Sequence, residues 1–330
     1  MLELRPAAQR QYIDSVAVFT AYEEALAEAA QVRGGMYWKN TGYLIRTSAT
    51  GAEKSLGRRS PETEAIFERF TDRKTEATQR LAGLKASLEQ QERLNRALHV
   101  GRIDPLVTSL LARLETARLA EHFRVVGTHA LYAYEAAAGI VFEADAVATR
   151  DIDLLWDVSR RVQFHTALQR VDKSMLAVLR KVDASFRVRR SQKYTAVNKD
   201  GFEVDILRRE PIDGDPHPVR LSDDEDDFWV AQAPNAHLLL DAPPFSAVIV
   251  ASTGAMARMN TLHPLAFARF KHWMGQLPGR DSKKRSRDEL QATAVEAVVR
   301  KYLPHLEADF VSQEIPALAC KQDSPLRTHP

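Results

Sequence analysis

The chain of 330 residues contains a single cysteine, Cys320, which rules out an intramolecular disulfide and a cysteine-based zinc site and fits a reducing compartment. It also lacks net charge: 46 Lys and Arg face 44 Asp and Glu, a formal +2. No global field therefore advertises a nucleic-acid or membrane partner, and any basic surface has to be local. No apolar run approaches the roughly 20 residues that a bilayer demands. The opening stretch MLELRPAAQRQYIDSV carries charge throughout, where a secretion signal would be apolar. The histidines show no metal-ligand spacing, no serine or cysteine sits in a nucleophile motif, and no repeat or low-complexity tract is present. The expectation is a soluble, cytoplasmic protein with no membrane partner, long enough for two or three structural units sharing one sizeable core.

Residues 10–30 recur in apolar side chains at helical spacing and predict one amphipathic helix. The segment RGGMYWKNTGYLIRTSATGAEKSLGRRSPETEAIFERF then interrupts it with glycines, a strand-like YLIRTS and a basic turn. Ser60 before Pro61, with Glu62 and Glu64 following, predicts a helix start, because Ser caps and Pro fits the first helical position. That polar helix should run to about Leu98, with Gly83 its weak point. Asp104-Pro105 opens another, to about His122.

From Phe123 the pattern changes. FRVVG reads as a strand, THALYAYEAAAG as a helix and RDIDLLWDV as a second strand. A mostly helical stretch to about Asp183 precedes FRVRR, KYTAVNK and FEVDILRR in strand-like succession, with Asp200-Gly201 a turn between the last two. SDDEDD, residues 222–227, reads as a solvated acidic loop. The chain is helical again from Pro264, and DSPLRTHP reads as a loose tail. The expected architecture is α/β: a mainly helical N-terminal region (1–104), a core on a small mixed β-sheet (105–250) and a helical C-terminal region (251–330).

Within ATRDIDLLWD the two aspartates stand one residue apart. Residues i and i+2 of a strand share a face, so Asp151 and Asp153 project side by side while Ile152 and Leu154 point into the core. Two adjacent like charges are costly, and a divalent cation such as Mg²⁺ or Mn²⁺ is the economical counter-charge for hard carboxylate oxygens. Asp205, between Val204 and Ile206, is a third carboxylate of the same kind, and it converges on the pair if its strand lies beside theirs. Upstream, a strand ending in Gly127-Thr128 and turning at once into a helix presents backbone N–H groups and a hydroxyl to an anion. Metal-holding carboxylates and a phosphate-holding turn belong to phosphoryl or nucleotidyl transfer.

This order, strand, Gly-Thr, helix, Asp-x-Asp on a strand and one Asp on a later strand, resembles the DNA polymerase β-like nucleotidyltransferase superfamily over residues 123–209. Within it the chain is most similar to bacterial nucleotidyltransferase-fold proteins whose helical N-terminal region carries a YWK…YLIR…KSLGRRSPETE segment. The resemblance implies a small mixed sheet bearing helices, Asp151 and Asp153 holding two divalent ions, Asp205 completing the site and acting as base or orienting the acceptor, and Gly127 and Thr128 holding the triphosphate of an NTP. HPLAFARFKHW followed by KKRSRDELQA resembles the helical segment of toxin-type and abortive-infection relatives, in which a helix lysine, here Lys271, supports the nucleotide. Two departures stand out: Gly-Thr replaces Gly-Gly or Gly-Ser, and GIVFEADAVA reads as an inserted strand or loop before Asp151.

Other features admit two readings each. Lys54, Arg58 and Arg59 around Gly57 make either an anion-binding corner before a capped helix or a basic turn in water. Tyr37, Trp38 and Tyr43 either stack on a base or anchor the helices. Arg187, Arg189, Arg190 and Lys193 either follow an RNA backbone along one strand face or guard a sheet edge. The function expected is metal-dependent transfer of an NMP from an NTP to a hydroxyl acceptor, an RNA end, a protein or a small molecule. The alternative is a nucleotide- or partner-binding module of a toxin-antitoxin or defence pair that has lost turnover.

Overall fold

Residues 1–211 and 220–311 are described by the computed structural model; the expected tail DSPLRTHP and Cys320 lie outside them. They divide into two units, one comprising Arg5–Gly101 with Ser252–Gly254, the other Met1–Leu4, Arg102–Ala251 and the residues from Ala255 on. The chain opens with a two-residue strand of the second unit, β1 (Leu2–Glu3).

In the first unit, α1 (Pro6–Gln31) precedes β2 (Gly35–Trp38), β3 (Tyr43–Thr47), β4 (Glu53–Arg58) and α2 (Pro61–Ala97). The Ser60 cap is present as a reciprocal pair: Thr63 N donates to Ser60 Oγ at 3.3 Å, and Ser60 N to Thr63 Oγ1 at 2.8 Å. α2 then continues unbroken through Gly83. α1 and α2 form an antiparallel pair whose seam includes polar groups, with Gln11 Nε2 donating to Gln91 Oε1 at 2.6 Å and Ser15 Oγ to Asn95 Oδ1 at 2.7 Å. The glycine-broken segment between them is a three-stranded antiparallel sheet in the order β2-β3-β4. KSLGR, expected as a basic turn, is its third strand, because Lys54 and Ser55 pair with Arg46 and Ile45.

The second unit runs α3 (Pro105–Thr116), β5 (Phe123–Val126), a 3-10 turn over Gly127–His129, α4 (Ala130–Ala138), β6 (Ile140–Val141), α5 (Ala144–Val147) and β7 (Asp151–Trp156). It continues with α6 (Arg161–Val171), α7 (Met175–Arg180), β8 (Arg187–Val188), β9 (Thr195–Val197), β10 (Glu203–Arg209), β11 (Ala231–Ala233) and α8 (Ala236–Asp241). It closes with β12 (Pro244–Val250), β13 (Met256–Leu262), α9 (Pro264–Gln276), α10 (Ser282–Tyr302) and α11 (Pro304–Val311). The helix opened by Asp104 ends at Thr116, short of the expected His122, and a separate 3-10 turn covers Ala120–His122. The GIVFEADAVA insertion supplies β6, which pairs with β1, and α5.

The mixed sheet has the order β12-β13-β5-β7-β10-β9-β8, with β11 also on β10. β7 and β10 are parallel, whereas β5 is antiparallel to β7. Alternation along β7 sends Ile152, Leu154 and Trp156 into one core with α3, α6 and α7, and Leu155 into a second core with α4, α9 and α10. Each such fully buried large side chain is worth roughly 1.5–3 kcal/mol. Asp151 and Asp153 therefore share the face of Leu155, the side of α4, α9 and α10.

The acidic run is not wholly solvated. Asp227 is buried and accepts from the N–H groups of Met175 (2.9 Å) and Leu176 (2.8 Å) at the start of α7, and from Ser222 Oγ at 2.6 Å. A charged acceptor serving two otherwise orphaned donors is costly to delete. Asp227→Ala is expected to destabilise the protein by about 2–4 kcal/mol, against near-neutral Asp224→Ala, in urea unfolding. Equal midpoints for the two variants would remove the capping role.

Candidate active site

The carboxylate group is assembled by register. Asp205 of β10 lies directly across from Asp153 of β7 in the parallel pair. On the other side of β7, Val126, the last residue of β5, is opposite Asp153. Because β5 runs antiparallel, its end meets the beginning of β7, and the turn that follows folds over the aspartates. Gly127 sits in that turn with φ +67°, and a Cβ there would stand 2.2 Å from Asp153 Oδ2. The glycine thus serves a left-handed backbone and a close approach at once, the approach being to Asp153 itself. His129 Nδ1 lies 2.9 Å from the Asp151 carbonyl, which can only accept, so Nδ1 carries the proton and ties the turn to β7. Burial lowers the pKa of this imidazole and keeps it neutral.

Burial first, and then the charges of Asp151 and Asp205, push Asp153 up to about 7; Lys271 and Arg287 pull in the opposite direction. Asp205 is also raised, by burial above all, although the Thr195 hydroxyl donates to its Oδ1 at 2.5 Å. The Asp151 carboxylate accepts from Thr149 Oγ1. Among the described residues no three His, Cys, Asp or Glu side chains form a ready-made metal cage; the outer two carboxylates are turned onto threonine hydroxyls. The donor set nonetheless fits a divalent cation: three hard carboxylates on adjacent strands, with a repulsion that the middle one relieves by taking up a proton.

The positive groups come from α9 and α10. The Lys271 ammonium is buried and 2.8 Å from Asp288 Oδ1, and Arg280 takes the other oxygen at 2.7 Å. Burial lowers the Lys271 pKa and Asp288 opposes the shift. Its charge acts on Asp153, while its hydrogen bond is donated to Asp288. Thr128 is buried, and its hydroxyl accepts from Arg287 Nη2 at 2.6 Å and Gln291 Nε2 at 3.2 Å. Arg287 and Gln291 stand four apart on α10 and so share a face. These two residues lie inside the KKRSRDELQA segment, whose helical spacing was a signal, but nothing local marks them as partners of a residue about 160 positions earlier.

The remaining expected residues belong to other elements. Lys54 and Arg58 are exposed residues of β4 in the first unit, just before the capped start of α2, and Arg58 Nε donates to the Tyr43 hydroxyl at 2.8 Å. The basic run 187–193 is not one strand face. β8 ends at Val188, Arg189 pairs with Glu203, and Lys193 lies over the Trp229 ring at 4.8 Å.

No helix among the described residues is long and apolar enough to cross a membrane. No curated protein and no solved structure matches the chain. One family model does, over residues 106–316, which includes β5, the glycine turn, β7, β10, α9 and α10; its description is Nucleotidyltransferase. The match takes in well over half of the sequence, and the chain belongs to this nucleotidyltransferase family.

Proposed function

We propose that the protein is a divalent-metal-dependent enzyme of the polymerase β-like kind that transfers an NMP from an NTP to a hydroxyl acceptor. The observation that carries this reading is the register of Asp153 opposite Asp205 beneath the Gly127 turn, within a chain of the nucleotidyltransferase family. Asp151, Asp153 and Asp205 would hold Mg²⁺ or Mn²⁺, which when bound would offset their charge and that developing on the phosphates. Asp205 takes up the proton of the acceptor hydroxyl, or orients it, as the acceptor oxygen bonds to the α-phosphorus and the bond to the β-phosphate oxygen breaks, releasing pyrophosphate. The backbone of the Gly127–His129 turn and the Arg287 guanidinium receive the β and γ phosphates. Thr128 positions Arg287, and Lys271 balances Asp153 from its seat on Asp288.

Incubation with each labelled NTP, Mg²⁺ or Mn²⁺, and RNA or lysate tests the proposal: label should move to polymer, protein or small molecule. Label that moves nowhere while nucleotide still binds would favour the binding module of a toxin-antitoxin or defence pair. Arg287→Gln is expected to weaken NTP binding by roughly tenfold or more, the loss of a charge-assisted phosphate contact, with Arg287→Lys in between. Equal NTP affinity of both variants and wild type in a nucleotide titration would place the triphosphate elsewhere.

A further inference from the structure

Residues 33–60 contain six Lys and Arg, namely Arg33, Lys39, Arg46, Lys54, Arg58 and Arg59, against one acid, Glu53. That is +5 in a chain whose total is +2, so the other residues sum to −3. The adjoining α2 balances seven basic residues with seven acidic ones, which confines the excess to the three-stranded sheet. Arg46 is structural: its guanidinium donates to the carbonyls of Arg33, Gly35 and Thr47 and lies 4.2 Å over Phe70. The others are available. Lys54, across from Arg46 and so on the Trp38 face, is exposed, with no side-chain partner among the described residues; Lys39 is held by an exposed ion pair to Glu53 at 3.0 Å, and Arg59 by one to Glu64 at 2.7 Å with its guanidinium 5.2 Å over the Trp38 ring. Such pairs are worth little and exchange readily for phosphate.

Aromatic rings are interleaved with these cations. Tyr37 lies across from Ile45, and Tyr43 from Arg58. By two-residue alternation Tyr37, Lys39, Tyr43 and Arg58 share the face turned away from Trp38, whose ring packs 6.0 Å from Phe67 of α2. Tyr37 is exposed, and the Arg58 guanidinium lies 5.4 Å over the Tyr43 ring. At the β2 edge a cavity of about 450 Å³ is lined by Met36, Phe67, Phe70 and Lys74 among others. An acidic protein partner would be served by the cations alone. Cations beside an exposed tyrosine ring supply what a single strand needs, charge for its phosphates and a face for an unstacked base.

We propose that the β2-β3-β4 sheet binds single-stranded nucleic acid, with Lys39 and Arg58 on phosphates and Tyr37 stacking on a base. Resting on the transfer reading above, the bound strand supplies the acceptor hydroxyl.

The test is fluorescence anisotropy of the full chain with a labelled 20-nucleotide RNA, the DNA of the same sequence and the RNA duplex, over a range of salt. Wild type should bind the single strands in preference to the duplex. RNA tighter than DNA assigns RNA as the ligand, and equal affinities assign single strands in general. Lys39→Gln with Arg58→Gln should weaken binding and make the slope of log K against log salt shallower by about 1.4, from about 0.7 per phosphate contact. Tyr37→Leu should weaken binding by roughly fivefold or more through lost stacking, at an unchanged slope. Circular dichroism and NTP titration of the same variants should match wild type, so a failed transfer assay leaves this result intact. No binding to either single strand, or variants that bind as wild type does, overturns the proposal. Displacement of RNA by polyglutamate as readily as by unlabelled RNA also overturns it, in favour of an acidic protein partner.

Discussion

Asp153→Asn is expected to abolish divalent-ion-dependent transfer, by a factor on the order of 10³ or more, while making the metal-free protein more stable at pH 8. The carboxyl titrates at about 7 in the folded chain against an ordinary 3.8, because it is buried beside Asp151 and Asp205. A raised acid holds its proton in the folded state after the unfolded chain has released it. Its contribution is therefore complete below about pH 4 and is lost as pH rises through 7. At pH 8 the wild-type protein carries the repulsion in full, and the neutral amide does not. The gain is on the order of 2 kcal/mol, a few degrees of melting temperature. Melting curves at pH 5 and pH 8, with and without Mg²⁺, check this: wild type should fall with pH and recover with Mg²⁺, and the variant, left with the raised Asp205, should do both to a smaller extent. Asp151→Asn should lose transfer equally. Loss of folding in both variants would make the pair structural, and retained transfer would move the chemistry elsewhere.

Gly127→Ala should cost activity by roughly 10²-fold or more, since a small displacement of a catalytic group costs that much, and should cost stability as well. The comparison that isolates the reason is Gly201→Ala. Both glycines have positive φ, +67° and +77°, so both substitutions carry a backbone penalty of about 1–2 kcal/mol. At Gly201 a Cβ meets nothing within 4 Å, whereas at Gly127 it meets Asp153 Oδ2 at 2.2 Å and must displace it. The melting points should thus differ modestly and the transfer rates greatly. Thr128→Ser preserves the hydroxyl shared by Arg287 and Gln291 and should stay within about threefold of wild type, the cost of a weakened but unbroken hydrogen bond. Comparable rates for the two alanine variants would show that Gly127 serves only its turn.

The local features of this chain were legible without coordinates because they rest on short-range rules. Two-residue alternation put Asp151 and Asp153 on one face, a serine before a proline began α2 at Pro61, and Asp200-Gly201 turned β9 into β10. Where a local signal had two uses, the expectation went astray. KSLGR reads equally as turn or strand until β3 offers it a partner, and the 187–193 arginines and lysine read as one face until the strand stops at Val188. Asp227 looked solvated because five acidic residues in succession are the common mark of a loop, and only α7 explains its burial.

By itself, then, the sequence determined the strand and helix periods, the side-by-side aspartates and the glycine turn, all set by dihedral preference and side-chain spacing within a few residues. The tertiary structure alone decided that β10 pairs parallel with β7 so that Asp205 faces Asp153, that β5 runs antiparallel so that Gly127 lies on Asp153, and that α10 brings Arg287 to Thr128. Such pairings depend on the summed burial and hydrogen bonding of segments about 25 to 160 residues apart, which no local window contains.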